Sequence, residues 1–180
     1  MENHKSIKNI KLIISDVDGI LTNGRIYIDN NNNESKGFHV DDGAGVALAR
    51  LAEIPIAFLS GRYSESTTIR ARELQIKYCY QGQLDKITGF NDIITKYNLT
   101  PDKVCYIGDG LIDLPPMDIA GFTVSVPNAH PIVKKQSDHI TFRSGGEGVL
   151  LEVVELILKK QNKLNAIFSK MTKEKYGYKK

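Results

Sequence analysis

Apolar residues in this chain of 180 residues gather in short runs, separated by segments with helical spacing. The runs "KLIIS" (11–15), "IPIAFLS" (54–60), "KVCYIG" (103–108) and "FTVSV" (122–126) are continuous enough to be strands buried on both faces, and "KYCYQ" (77–81) is a shorter candidate. Between them, "GVALARLAE" (45–53), "SESTTIRAREL" (64–74) and "KITGFNDIITKYN" (86–98) place apolar residues three and four apart, the period of an amphipathic helix. Positions 149, 150, 153, 156 and 157 of "EGVLLEVVELILKK" (147–160) share one helical face, which predicts a closing helix laid on the sheet. Strand and helix alternate, so the expected fold class is α/β: a Rossmann-like parallel sheet with helices on both faces. One segment breaks the alternation. The extended-looking arms "GRIYID" (24–29) and "ESKGFHV" (34–40) flank "NNNN" (30–33), and Asn tolerates left-handed backbone angles, so a β-hairpin over about 24–40 is expected after the first strand.

Composition narrows the picture. The length suits one well-buried core, so residues 1–180 are read as a single domain; 41% hydrophobic and 25% charged residues exclude a disordered chain. No run approaches the roughly 20 apolar residues of a membrane helix, and "MENHKSIKNIK" lacks the apolar centre of a secretion signal, so a cytoplasmic protein with no membrane partner is expected. The net charge of +3 divides unevenly: eight lysines against Glu174 from Lys159 onward make a basic tail (159–180) of +7, leaving residues 1–158 at −4. A mildly acidic body argues against a nucleic-acid surface, and the tail reads as a solvated, frayed terminus. Cys79 and Cys105 lie in apolar, strand-like contexts and read as reduced thiols without metal-site spacing.

Candidate chemistry sits where the strands end. Asp16 and Asp18 follow the first strand, Ser60-Gly61-Arg62 the second, and Gly108-Asp109 with Asp113 the strand at 103–108. In open parallel sheets the carboxyl ends of the strands face one crevice, which would bring Asp16, Asp18 and Asp109 together. Converging carboxylates raise one another's proton affinity unless a cation lies among them, and an all-oxygen ligand set favours a hard divalent ion such as magnesium. On its own an Asp-x-Asp is met more often as a pair of turn residues capping a helix; the specificity lies in the combination.

That combination, "DVDG" with "ILT", then "SGR", a lysine after "YQGQLD", and "IGDGLID", resembles the haloacid dehalogenase superfamily of phosphotransferases. With "DNNNNESKGFHVDDGAG", "AHP" and "GGEG" added, the resemblance narrows to its capless branch and runs from about Lys11 to Leu158. The resemblance implies that Asp16 is a nucleophile forming an aspartyl phosphate and that Asp18 is the acid/base. It further implies magnesium held by the Asp16 carboxylate, the backbone carbonyl of Asp18 and Asp109, with Ser60 and Lys86 binding the phosphoryl group. "HVDDG" (His39, Val40, Asp41, Asp42, Gly43) matches a substrate loop, and Arg62 and Arg70 match arginines that face a sugar acid, whose carboxylate suits their planar fork.

Members of this branch have no cap domain. They are homotetramers in which a neighbouring subunit closes the site and the hairpins surround a central axis. The implied reaction is magnesium-dependent hydrolysis of 3-deoxy-D-manno-octulosonate 8-phosphate in lipopolysaccharide precursor synthesis. A nonulosonate (sialic-acid-like) 9-phosphate is the alternative substrate. A catalytically silent oligomeric binding module is the alternative of another class, opposed by the presence of Asp16, Asp18, Ser60, Lys86 and Asp109 together. Three departures bear on substrate and metal: Gly110 stands where a second Asp is usual, Asp41 and Ala47 where octulosonate phosphatases carry arginine, and Glu147 where many have arginine.

Overall fold

The apolar runs become strands and the periodic segments become helices in the computed structural model, which describes residues 6–176. In chain order the elements are β1 (Leu12–Ser15), β2 (Tyr27–Ile28), β3 (Glu34–Ser35), α1 (Val40–Leu51), β4 (Ile56–Leu59), α2 (Glu65–Glu73), β5 (Cys79–Tyr80) and α3 (Lys86–Lys96). They continue with β6 (Val104–Ile107), α4 (Leu114–Ile119), β7 (Phe122–Ser125), α5 (Pro131–Gln136), β8 (His139–Ile140), α6 (Val149–Lys160) and α7 (Leu164–Tyr176). Six strands form one parallel sheet in the order β5-β4-β1-β6-β7-β8, and β2 pairs antiparallel with β3 apart from it.

Successive residues of a strand face opposite sides of the sheet, and here both sides are covered. Ile13 turns toward a core shared with Val46 and Leu48 of α1, Ala71 of α2, and Val153 and Ile157 of α6. Leu12 and Ile14 turn to the other layer, with Phe90 and Ile93 of α3, Met117 of α4 and Val133 of α5. In register, Ser15 lies level with Phe58 of β4 and Ile107 of β6, so the chain leaves all three strands at one edge of the sheet. That edge carries the site.

Several boundaries differ from the sequence expectation. Helix α1 begins at Val40, five residues before its apolar pattern, because His39 caps it: the His39 Nδ1 accepts the Asp41 N–H at 3.2 Å. The "HVDDG" segment is therefore a helix start, and the hairpin keeps only the pairs Tyr27↔Ser35 and Ile28↔Glu34. Its Asn tip is organised by Asp29, whose carboxylate accepts the N–H groups of Asn31 and Asn33, while Asn32 takes the left-handed conformation (φ 62°). The short strand β8 and the helices α4 and α5 carry too few residues for their periodicity to announce them. The basic tail is not frayed where it can be seen: α7 folds back with Ile167 buried and Leu164 and Met171 against the core. Positions 177–180 of that tail, like Met1 to Lys5, lie outside the described residues. Cys79 and Cys105 are unbridged, and burial pushes the Cys79 thiol up to about 11. Among the described residues no helix is long and apolar enough to cross a membrane.

Candidate active site

The polypeptide leaves β1 at Asp16, whose N–H donates to the Ile107 carbonyl of β6 at 2.9 Å, and turns through residues 17–22. Gly19 makes that turn with φ 96°; a Cβ here would fall 2.1 Å from Asp109 Oδ2, so a side chain would exclude the Asp109 carboxylate from its place. The loops after β1 and β6 can thus touch only through glycine.

Asp16 is nearly inaccessible. Its Oδ1 accepts the Val17 N–H at 2.6 Å and its Oδ2 lies 2.9 Å from the Lys86 ammonium. Lys86 opens α3 behind the N-cap Asp85, is 1% exposed, and pairs also with Asp113 Oδ1 at 2.6 Å. Asp113 collects further donors: the Tyr106 hydroxyl at 2.7 Å on Oδ1, and the N–H groups of Asp109 and Gly110 at 3.1 and 2.9 Å on Oδ2. It ties the loop after β6 into a fixed shape, which leaves the Asp109 side chain pointing at Asp16.

Carboxylate oxygens of Asp16, Asp109 and Asp113 lie within 4.8 Å of one another. Burial pushes the Asp16 carboxyl up to about 8, with the Asp113 charge adding to the rise and Lys86 opposing it. Asp109 is pushed up to about 7, again by burial first and Asp113 second. For Lys86 burial works against the charged form, but Asp16 and Asp113 outweigh it and hold the amine above its ordinary value. The Tyr106 hydroxyl is driven well above 10 by burial and by Asp113, so it serves as a neutral donor.

One oxygen of this group is an orphan: Asp109 Oδ1 is buried with no hydrogen-bond partner. A buried acceptor without a donor is costly, and a hard divalent cation among all-oxygen ligands would satisfy it. The residues present fit such an ion, with Asp16 and Asp109 offering the spare lone pairs and Asp113 already occupied by donors.

Asp16, Asp18, Ser60, Arg62 and Asp109 line a cavity of about 330 Å³. Apolar Ile26, Leu84 and Ile112 complete its wall, and all three are exposed. Ser60 hangs from the end of β4, its N–H bonded to the Tyr80 carbonyl at 2.8 Å and its hydroxyl donating to the Arg62 carbonyl at 3.0 Å. Lys86 lies behind this wall, in contact through Asp16.

The remaining nominated residues do not line this cavity. His39, Val40, Asp41, Asp42 and Gly43 form the start of α1, and Arg70 braces it by donating to the His39 carbonyl at 3.0 Å while pairing with Glu73 at 2.9 Å. Asp41 is neutralised by Arg143 at 2.7 Å. Asp42 is buried and accepts the Leu150 N–H of α6 at 3.0 Å; burial pushes its carboxyl up to about 6. Two residues of the site carried no assigned role in the sequence reading: Asp113, four places after Asp109 in "GDGLID", and Tyr106. Lys36, which ion-pairs with Asp18, left no signal at all.

A buried carboxylate at the end of β1, a hydroxyl after β4, a lysine opening α3 and an acidic loop after β6 define a phosphoryl-handling hydrolase on a parallel sheet. Residues 52–153 match the haloacid dehalogenase-like hydrolases, and the chain belongs to that family. It is similar to the 3-deoxy-D-manno-octulosonate 8-phosphate phosphatase of Escherichia coli K12, at 41% identity over 158 residues, 88% of this chain and 84% of that one. The crystal structure of the phosphatase of the same name from Moraxella catarrhalis, in complex with magnesium, phosphate and KDO, matches with a TM-score of 0.89 at 40% identity, covering 94% of this chain and 98% of that one. The cobalt-bound Haemophilus influenzae phosphatase matches with a TM-score of 0.85 at 38% identity, over 89% and 94% of the two chains.

Proposed function

We propose that this chain, acting as a single capless domain, hydrolyses 3-deoxy-D-manno-octulosonate 8-phosphate to the free sugar acid and phosphate. The observation that carries the reading is the meeting of Asp16, Asp18, Ser60 and Asp109 around one cavity, on a chain 41% identical to a phosphatase named for that substrate. Magnesium, which the Asp16 and Asp109 carboxylates and the Asp18 carbonyl would hold, supplies positive charge to phosphoryl oxygens when bound. Asp16 attacks phosphorus as the ester oxygen leaves, and Asp18 gives that oxygen a proton. Asp18 then takes a proton from water as it attacks the aspartyl phosphate, which restores Asp16. Ser60 and Lys86 hold the phosphoryl oxygens, and the Lys86 charge favours the ionised, nucleophilic form of Asp16.

Arg62, on the cavity wall, is suited to the sugar-acid carboxylate. His39 to Gly43 and Arg70 take part in substrate binding in this reading; none of them lines the chain's own cavity, so the reading assigns them to a neighbouring subunit's. The assembly is a homotetramer whose hairpin covers that neighbouring site, and the exposed Tyr27 and Ile28 supply apolar surface for it. The setting is the cytoplasm, since a charged sugar phosphate does not cross a bilayer unaided, in lipopolysaccharide precursor synthesis.

A nonulosonate 9-phosphate is the second reading, left open by Ala47, which stands where octulosonate phosphatases carry arginine. Phosphate release from the two esters, measured side by side with magnesium, separates them. The octulosonate ester is expected to give kcat/KM higher by about tenfold or more, a 1.4 kcal/mol preference. The reverse order selects the second reading, and release from neither overturns both.

A further inference from the structure

Lysine is among the residue types least often buried, yet the Lys36 side chain, just after β3, is 0% exposed. Its ammonium lies 2.7 and 2.9 Å from the two oxygens of Asp18, 3.4 Å from Thr67 Oγ1 and 3.8 Å from Glu34 Oε1. Glu34, in β3, grips the Arg62 guanidinium through its other oxygen. The backbone of β3 is itself tied to α2, where the Ser66 hydroxyl donates to the Glu34 carbonyl at 3.3 Å. Four side chains thus alternate in sign, Asp18, Lys36, Glu34, Arg62. The outer two line the cavity, and the inner two do not.

Both outer groups are short of other restraints. Asp18 sits inside the turn, immediately before the Gly19 on which it bends, and the long Arg62 side chain is 43% exposed. A carboxylate that must give and then take a proton at one oxygen needs its orientation held to within about 10–20°. A two-oxygen grip by a buried ammonium supplies that restraint, as the planar Arg62 fork is restrained by Glu34.

We propose that Lys36 and Glu34 are positioning residues, Lys36 aiming the Asp18 carboxylate and Glu34 holding the Arg62 guanidinium, so that the root of each hairpin orders the site of its own chain. This rests on the phosphatase reading for the roles of Asp18 and Arg62. It goes beyond that reading by giving the hairpin a task within its own subunit, separate from covering a neighbour's site.

The test compares Lys36→Met, which keeps the apolar stem and removes the charge, with Lys36→Arg and Glu34→Gln, in the full chain with magnesium. On the octulosonate ester, Lys36→Met is expected to lower kcat about 100-fold, the loss that follows a misplacement of about 1 Å. Its KM should stay within about twofold, and Lys36→Arg should recover about tenfold of the loss. Glu34→Gln should instead raise KM about tenfold for the sugar-acid ester and leave KM for p-nitrophenyl phosphate, which has no carboxylate, unchanged. p-Nitrophenolate leaves without a proton, so on that ester Lys36→Met should show a burst of one nitrophenolate per Asp16 followed by slow turnover, as attack of water waits on a misaimed Asp18. Mixed assemblies of Lys36→Met with Asp16→Asn chains should regain no activity over Lys36→Met alone.

Wild-type kcat in Lys36→Met, equal losses in the Met and Arg variants, or recovery in the mixed assemblies would each overturn the proposal, the last by placing Lys36 in a neighbour's site. Failure of the phosphatase reading is seen separately, as a wild-type chain that releases no phosphate from the sugar-acid ester while Lys36→Met still bursts on the aryl ester.

Discussion

Three carboxylates, Asp16, Asp109 and Asp113, face one ammonium, Lys86, in a place largely closed to water. Removing an unpaired charge from water is expensive, so the surplus acids respond by binding protons more tightly, Asp16 to about 8 and Asp109 to about 7. Both values lie above the ordinary 3.8, so the folded chain without metal holds more protons than the unfolded one. Its stability is therefore greatest below about pH 4 as far as these groups are concerned, and declines as pH rises toward about 8. A divalent cation reverses this by replacing the protons. Magnesium is expected to raise the melting temperature of the chelated protein more at pH 8 than at pH 5, and to release protons near pH 7; calorimetry in two buffers of different ionisation enthalpy checks both. Asp16→Asn keeps the shape of the side chain and removes the attacking oxygen. Its turnover of the octulosonate ester should fall by about 10⁴-fold or more with the circular dichroism unchanged, and ordinary phosphate release by that variant would remove Asp16 from the mechanism.

Helices α1 and α6 show what decides packing between elements. They approach so closely that a Cβ on Gly45 would lie 2.6 Å from the Leu151 nitrogen and 2.7 Å from the Leu150 carbon, both backbone atoms that cannot step aside. The contact also serves the end of α6, whose N-cap Gly148 has no side chain to offer: Asp42 reaches across from α1 and accepts the Leu150 N–H. Replacing Gly45 by Ala would add about 1 kcal/mol of helix propensity, but forcing α1 away from α6 costs roughly 1–3 kcal/mol. The clash wins, and Gly45→Ala is expected to lower the urea midpoint. Periodicity did identify both helices. It missed the first turn of α1 because Val40 to Gly43 are held by a cap and by cross-helix hydrogen bonds, which leave no 3.6-residue apolar rhythm.

At the scale of the whole molecule, the sheet register sets the ends of β1, β4 and β6 at one edge, and the hairpin is the only inserted element among the described residues before α1. Its Ile26, Tyr27 and Ile28 are all exposed, and Ile26 lies on the cavity wall. Such a patch suits burial against another subunit. Deleting residues 26–38 is expected to lower the mass seen by light scattering and to reduce turnover together. A deletion that stays fully active as a monomer would contradict the assembly.

Alternation of strand and helix, both layers of the core, and the polar residues that close β1, β4 and β6 were determined by the sequence alone. Each is a local property, written in spacings of two and of 3.6 residues and in where apolar runs stop. Which polar residues meet was decided only by the tertiary structure. Lys36 reaches Asp18 across 18 positions and Lys86 reaches Asp113 across 27, while Arg70, on α2, turns to a helix start and does not line the cavity. Such meetings depend on loop paths and on strand register, and neither leaves a periodic trace along the chain.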